Sequence, residues 1–556
     1  MNKHIVSAEI YSNAAMDQIP RLLGNLDRNQ FSSTYGSFHR DYWLEKTSDF
    51  PDAVRQFAVH ALALVYKHDF PNSKYKGNRN LLNWTIAALD YWAKIQHKDG
   101  SFDEFYPYER GWVGPTGFTT YACAEAFHLI REEIPADVEE RVKRALIKAA
   151  FFIGKGESEE DHLGNHHAMA CLAVHSVMRV LGRTDIEDIY RKLWDKFLTY
   201  YHADEGWCRE YDGPDPGYLS AVVSFLAKIY VHDSRPEIFE VLSGAVETCS
   251  YFVYPDGSYG GILGSRNTIH LYPHGFELVS GEIKLAQSIS AKAISAIGQG
   301  NMVPPSAMSD RYLVYRVPEY LQSYLDYTPK SGKLLPLPYE RQHTQFFKKA
   351  GIASCRTGDQ YTISNLAKGG TLKIFNVVSN ECLLNDSGVI GILSNGEKFT
   401  TQWIDQRFKL SVDSTEWSVK GTAKYLPNPK IFTPFKGLIF RLIMVAVGWN
   451  PTLSHFVKGR IRKLIILNKS DVPLNFSRSI LFETSHITIR DTFTLNRKSI
   501  SITNMSLGGE YHLRYVPQSR YFQPHELANC SSELSADELK KLNSERSLSV
   551  ERKIKI

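Results

Sequence analysis

From residue 50 to about 300 the apolar positions recur with a helical period, and beyond about 345 they recur in twos. Val54, Phe57, Ala58, Ala61, Leu62 and Val65 follow the spacing of one helix face. Val59, Ala63 and Leu64 make the opposite face apolar too, which predicts a helix buried all round. Leu81, Trp84, Ala88, Tyr91, Trp92 and Ile95 form the next stripe, and further helices are expected near 117–132, 138–154, 166–182, 186–201, 217–232, 236–251 and 278–298. Some of these are one-sided. In 138–154, Val138, Val142, Ala145, Ala149 and Phe152 share a face, with Glu139, Glu140, Arg141, Lys143, Arg144 and Lys148 opposite. Alternation between all-round and one-sided burial predicts two concentric layers. Helix pairs recur roughly every 50 residues without the sharp period of a solenoid, so the expectation for residues 1–300 is a closed ring, an (α/α) toroid.

Residues 301–345 read as a linker, rich in Tyr and Pro (Pro304, Pro305, Pro318, Pro329, Pro336, Pro338). Short β-type runs follow at Tyr361–Ile363, Thr371–Val378, Leu464–Leu467, Ser479–Phe482 and Ser499–Ile502, separated by turn signals such as Lys368-Gly369-Gly370 and Asn395-Gly396. The fold class is therefore α+β and multidomain: an N-terminal (α/α) toroid, then an antiparallel β-sandwich over 346–515, then a tail over 516–556, whose charged stretch Leu534 to Ile556 is expected as one helix and a frayed end. Within the sandwich, Phe435 to Trp449 is apolar and flanked by Lys and Arg. It is too short to span a bilayer. The stretch 430–463 is expected either as a helical insertion in contact with a subdomain or as a peripheral membrane contact.

Composition narrows the function classes. A net charge of +5 on 556 residues is too small for a nucleic-acid binder and compatible with an anionic substrate. The 30 Tyr, 29 Phe and 9 Trp suit stacking on sugar rings or filling a helical core equally well. Seven scattered cysteines lack metal-type spacing and read as reduced thiols. The N-terminus has no apolar signal region, so a cytoplasmic setting is expected, at most peripheral to the membrane.

Five polar loops between helices carry the candidate chemistry. The first, 35–50, packs charges and aromatics without a period; Tyr35, His39, Arg40 and Lys46 are candidate substrate contacts, or the loop plugs the ring. The second follows a Gln96-His97-Lys98-Asp99-Gly100-Ser101-Phe102 turn and offers Tyr106, Glu109 and Trp112. In the third, Gly164-Asn165-His166-His167 opens a helix, where the dipole keeps an imidazole neutral and able to accept a proton. Asn165 reads alternatively as a helix cap. The fourth, Tyr211 to Leu219, is stiffened by Pro214 and Pro216; it fixes Tyr218 and places Tyr211 and Asp215 beside it. The fifth, 256–275, is glycine-rich and carries Arg266 and Asn267, suited to a carboxylate, with His270 and His274.

The Asn165-His166 pair opening an inner helix, followed some 50 residues on by Asp215-Pro216-Gly217-Tyr218, resembles heparinase II/III-type and oligoalginate lyases, as does a helical ring followed by a β domain. The resemblance implies an acidic polysaccharide or oligosaccharide substrate cleaved by β-elimination. Asn165, with His166 or Arg266, would neutralise the uronate carboxylate. Tyr218 would act as acid, Tyr218 or His166 as base, and His270 or His274 would supply a further histidine. No cofactor is required. Relatives can carry a divalent metal in the β domain, but no His/Asp cluster here asks for one. Three other readings use the same ring: a glycoside hydrolase working through two of Glu109, Glu210, Asp212 and Asp215, a uronate epimerase, and a non-catalytic glycan-binding protein of a surface-polysaccharide pathway.

Overall fold

The computed structural model describes residues 8–40, 51–104, 108, 110–156, 162–329, 332–426, 433–450, 452–453, 456–457, 460, 469–509, 521–528 and 531–555. Helical periodicity in the first half becomes α1 (Glu9–Met16), α2 (Ile19–Asn25), α3 (Val59–Lys67), α4 (Arg79–Lys94), α5 (Phe118–Ile130), α6 (Ala136–Gly154), α7 (Gly164–Leu181), α8 (Glu187–Leu198), α9 (Pro216–Tyr230), α10 (Pro236–Ser250), α11 (His274–Val279), α12 (Lys284–Gln299) and α13 (Asp310–Leu325). A single 3-10 segment, Ala53–Ala58, leads into α3.

The two expected layers are present. α3, α5, α7, α9, α11 and α13 pack each on the next, and α13 returns to α3, closing the inner ring. α1, α4, α6, α8, α10 and α12 form the outer layer. The split follows the sequence patterns. α7 buries nearly every side chain, whereas α6 buries Val138, Val142, Ala145, Leu146, Ala149, Ala150, Phe152 and Ile153 and leaves its charges outside.

One expectation needs correcting. The stretch 301–345 is not simply a linker, because it holds α13, the helix that closes the ring. Leu313, Val314, Val317 and Leu321 are buried on it, and so is Arg316, whose Nη2 donates to Leu271 O at 2.6 Å. Pro318 lies inside the helix and removes one backbone donor. Packing against α1 and α3 holds the helix despite that loss.

The second half is antiparallel, as expected. One sheet has the order β3-β4-β5-β6-β7, from β3 (His343–Phe347), β4 (Ile352–Thr357), β5 (Gln360–Asn365), β6 (Thr371–Asn376) and β7 (Glu381–Asp386), numbered after a short hairpin of β1 (Tyr201–His202) and β2 (Trp207–Cys208) in the ring. The other has the order β15-β14-β8-β9-β11-β12-β13-β16 with β10 paired to β11, from β8 (Val389–Leu393), β9 (Lys398–Thr400), β10 (Lys409–Val412), β11 (Glu416–Tyr425), β12 (Asp471–Phe482), β13 (His486–Leu495), β14 (Ile502–Leu507), β15 (Ser532–Glu533) and β16 (Ser547–Lys555). The first sheet lies between ring and second sheet. On β6, Leu372 and Ile374 enter the core between the sheets, while Phe375 joins the core of the ring. The run expected at Ser499–Ile502 becomes a strand that starts at Ile502, and the run Leu464–Leu467 lies outside the described residues. The tail does not fray. After α14 (Pro434–Val447) in the sheet region and α15 (Ala536–Glu545), β16 pairs along β13, with Leu548 buried in the core and Val550 and Ile554 packed against it. Among the described residues no helix is long and apolar enough to cross a membrane.

A charged network holds the two sheets together. Arg478 on β12 donates to both carboxylate oxygens of Asp491 (2.7 and 3.0 Å) and to Asp386 (3.1 Å), and Arg552 reaches the same two carboxylates. Burial works against ionisation of Asp386, but the charges of Arg478 and Arg552 outweigh it and hold its carboxyl at about 2. A depressed folded-state value adds stability above the unfolded value near 3.8 that is lost as pH falls through about 2. The contribution is on the order of 2 kcal/mol. Acid titration of unfolding, followed by circular dichroism, is expected to lose that increment between about pH 4 and pH 2, and Asp386→Asn is expected to remove that part of the pH dependence.

Candidate active site

The N-terminal turns of α7, α9 and α13 meet at one end of the ring. The chain entering α7 pairs with the chain entering α9: Gly164 N donates to Arg209 O at 2.9 Å and Tyr211 N to His162 O at 2.7 Å. These strand-like contacts seat Glu210 under the first turn of α7. Its carboxyl takes the Asn165 backbone N–H on one oxygen and Asn165 Nδ2 on the other, the latter at 2.7 Å. Glu210 is fully buried, and burial pushes its carboxyl well above the usual range while the two Asn165 donors pull it down. Asn165 is therefore an oriented amide rather than a side-chain cap of α7. His166, next along, is half-buried with its ring edge-on to Phe118 at 5.9 Å.

The loop 256–270 comes up beside α9. Asp215 joins the two: Oδ1 caps Tyr218 N (3.3 Å) and accepts from Thr268 Oγ1, and Oδ2 accepts from Arg266 N at 2.8 Å. This fixes the backbone of Arg266. Its guanidinium donates to Tyr211 Oη and lies 4.8 Å from the centre of the Tyr211 ring. Tyr211 adopts a left-handed backbone (φ 60°), an unusual conformation for a tyrosine that turns its ring toward Arg266.

Tyr218 sits among these groups. Burial pushes its phenol well above the ordinary value, the Arg266 charge opposes this, and Tyr211, Asp215 and Tyr312 add to the rise. His270 lies behind it, edge-on at 6.4 Å; burial pushes its imidazole well down, and Arg316 adds to this, so the ring is neutral at physiological pH. From α13 come Tyr312 and Arg311. Arg311 donates to Asp52 (2.8 Å) and Glu104, tying the α13 N-terminus to the segment before α3 and to the loop after α4. Neither Arg311 nor Tyr312 stood among the sequence candidates. The Arg311-Tyr312 pair was a visible signal, hidden by the proline-rich surroundings that made the region read as linker.

The β domain buttresses this end. Lys368 Nζ donates to the carbonyls of Ile262 (2.6 Å) and Gly264 (2.5 Å), and Asn365 Nδ2 to Leu263 O at 2.7 Å. These contacts brace the loop that carries Arg266. Lys469 pairs with Asp212 at 2.8 Å, and Ile404 closes on Gly213.

Several sequence candidates have other work. Asp215 is a buried cap, not a substrate contact. Trp112 is 1% exposed and donates to Ile153 O at 2.9 Å, a core indole against His167. His274 starts α11 farther along α9, where Gly275 meets Ser224, and is paired to Asp326 at 2.7 Å. His39 is buried, its Nδ1 accepting from Asp52 N at 2.7 Å, so it supports the Asp52–Arg311 pair from behind. Tyr35 and Arg40 are half-buried in the same N-terminal loop, which Gln56 fastens to the ring through Gly36 O and Phe38 N. Asn267 is half-buried beside Arg266 with φ 53°. His270, 1% exposed, has a wall position behind Tyr218. Lys46, Tyr106 and Glu109 lie outside the described residues. Among the described residues no group of three His, Cys, Asp or Glu could hold a metal ion.

The Glu210–Asn165 contact is testable. Glu210→Gln turns one acceptor into a donor facing an Asn165 N–H. Turnover is expected to fall about a hundredfold through a misplaced amide, with KM moving less than kcat and the circular dichroism spectrum unchanged.

Residues 71–275 match the sequence family described as the ulvan lyase N-terminal domain. No curated protein sequence matches the chain. Among solved structures, the chondroitin AC lyase of Streptomyces coelicolor A3, determined with chondroitin sulphate, is 12% identical with a TM-score of 0.51, covering 91% of this chain and 68% of that one. A Paenibacillus xanthan lyase is 11% identical with a TM-score of 0.49, covering 91% of this chain and 46% of that one. Residues 71–275 of the ring are thus similar in sequence to the ulvan lyase N-terminal domain, and the ring with its β domain is similar in fold to the chondroitin AC lyase.

Proposed function

We propose that this chain cleaves a uronate-containing polysaccharide or oligosaccharide by β-elimination, and that the reaction runs at the ring end formed by Asn165, His166, Tyr218 and Arg266. The observation that carries the reading is the convergence of three inner-helix N-termini, an oriented Asn165 amide, the Arg266 cation and the Tyr218 phenol. Helix N-termini and a guanidinium favour an anionic ligand, and the structurally similar chondroitin AC lyase was determined with an acidic glycan, chondroitin sulphate.

In this reading Asn165 and Arg266 face the uronate carboxylate and draw charge from it, which acidifies the C5 proton. His166 takes that proton. The C4–O4 bond breaks as the C4–C5 double bond forms. Tyr218, held protonated by burial, delivers its proton to the departing O4. His270 and Tyr211 position Tyr218 and Arg266. The heparinase II/III type is supported by the Asn165-His166 and Pro216-Gly217-Tyr218 motifs.

A hydrolase needs two carboxylates facing the cleft, about 5–10 Å apart. Glu210 is bound to Asn165, Asp215 caps α9 and Asp212 pairs with Lys469, so these three do not supply such a pair. Incubation with a panel of acidic glycans separates the remaining readings. Elimination produces an unsaturated uronate that absorbs in the far ultraviolet. Hydrolysis shortens chains without that absorbance, and epimerisation exchanges solvent deuterium into C5 without shortening. Chain shortening without the absorbance would overturn the lyase reading.

A further inference from the structure

Among the described residues, α14 presents an apolar face that nothing in the chain covers. Met444 is its one buried residue, and its outward face is apolar. At 3.6 residues per turn, Phe435, Leu438, Ile439, Leu442, Val445 and Trp449 fall on the side away from Met444. Phe435 is 71% exposed, Leu442 61% and Trp449 64%. A contiguous apolar face of this kind marks a surface that another phase or molecule covers.

The charge pattern says what covers it. Between Tyr425 and Asp471 the chain carries eight Lys or Arg and not one Asp or Glu. Lys436 and Arg441 are exposed and flank the apolar face. That arrangement, an apolar stripe bordered by long cationic side chains with a tryptophan at its end, matches the boundary of an anionic bilayer. There the apolar face enters the acyl region while Lys and Arg reach back to the headgroups. A second copy fits less well, because a two-fold contact would set the same run of Lys and Arg against itself. At 14 residues α14 lies along the surface rather than across it.

We propose that α14 is an interfacial helix that seats the protein on an anionic lipid surface. Its C-terminal end fixes the orientation: a Cβ at Gly448 would come within 3.0 Å of Tyr108, on the loop that leads from Phe102 to Trp112 at the active end of the ring. Docking through α14 therefore brings the cleft beside the bilayer, where glycan attached to or emerging at the membrane is concentrated. The proposal rests on α14 and the basic run around it and stands apart from the lyase reading.

The test is co-sedimentation of the full chain with vesicles of phosphatidylcholine alone and of phosphatidylcholine mixed with phosphatidylglycerol. Binding to the anionic vesicles is expected to be stronger by at least about tenfold and to weaken as salt is raised. Leu438→Asp combined with Leu442→Asp is expected to abolish it while leaving circular dichroism and the cleavage of soluble oligosaccharide unchanged. Trp449 gives a readout on the unaltered protein: its emission is expected to shift to the blue on adding anionic vesicles, a shift missing in Trp449→Phe. Equal binding to both vesicle types, or no change in Trp449 emission, would overturn the proposal. So would a soluble dimer that the paired Leu438→Asp and Leu442→Asp substitutions dissociate.

Discussion

Tyr218→Phe is expected to lower turnover on an acidic glycan by a factor of about a hundred to ten thousand, the usual weight of one acid–base group. The substitution removes one hydroxyl and keeps the ring that meets His270 edge-on, so that contact survives. Tyr218 is half-buried and its backbone, not its hydroxyl, is the group held by the Asp215 cap. Stability should therefore change little, and the loss should appear in kcat rather than KM. The pH profile supplies a second check. Burial holds the phenol protonated well past neutrality, with Arg266 opposing, so a general acid at this position keeps its proton across the neutral and mildly alkaline range. The measurement is the rate of far-ultraviolet absorbance gain from the unsaturated product. Full activity in Tyr218→Phe would remove Tyr218 from the reaction and leave His166 to be tested as the group that handles both protons.

Arg478→Met is expected to destabilise the β domain by about 3–5 kcal/mol. Arg478 is 1% exposed and shares Asp386 and Asp491 with Arg552. Without it, two buried carboxylates are left to one guanidinium: Asp491 loses two of its three arginine contacts and Asp386 one of two, while both keep their desolvation cost. Arg478 Nη1 also donates to Gly370 O at 3.0 Å, so the turn between β5 and β6 loses a contact as well. Because the sheet carrying Lys368 and Asn365 braces the Arg266 loop, catalytic activity is expected to fall at a lower temperature than in the unaltered chain, with kcat intact in the cold. The check is a denaturation midpoint alongside activity at low temperature. If cold activity were lost while stability stayed unchanged, the network would have a catalytic rather than a structural role.

Much of this protein is legible in the order of its residues. Helix periodicity places the layers of the ring, because a helix apolar on every side has nowhere to go but the inside. Alternation and turn residues place an antiparallel second half. The strands β5 and β6 blur that signal, since they are covered on both faces by the ring and the other sheet, and Lys373 and Asn365 lie buried there. Asn165, Tyr218 and Arg266 stand out as polar residues at helix starts and in a glycine-rich loop. Their roles as separate from their neighbours' do not. Asp215 and Trp112 have the chemistry of substrate contacts, yet one caps the Tyr218 N–H of α9 and holds the Arg266 backbone, and the other fills the core with its indole N–H bound to Ile153.

What the tertiary structure decided is which polar groups are paired, because pairing depends on residues far apart in the chain. Glu210 takes the backbone N–H and one Nδ2 hydrogen of Asn165 across 45 residues, and Arg311 reaches Asp52 across 259. The ring itself closes through α13, a helix whose internal proline speaks against helix in the local sequence and whose packing against α1 and α3 overrides it. The sequence by itself determined the layers, the β half and the loops where chemistry is held. Only the fold decided which of those loop residues remain for a substrate once the buried donors, acceptors and charges have been satisfied.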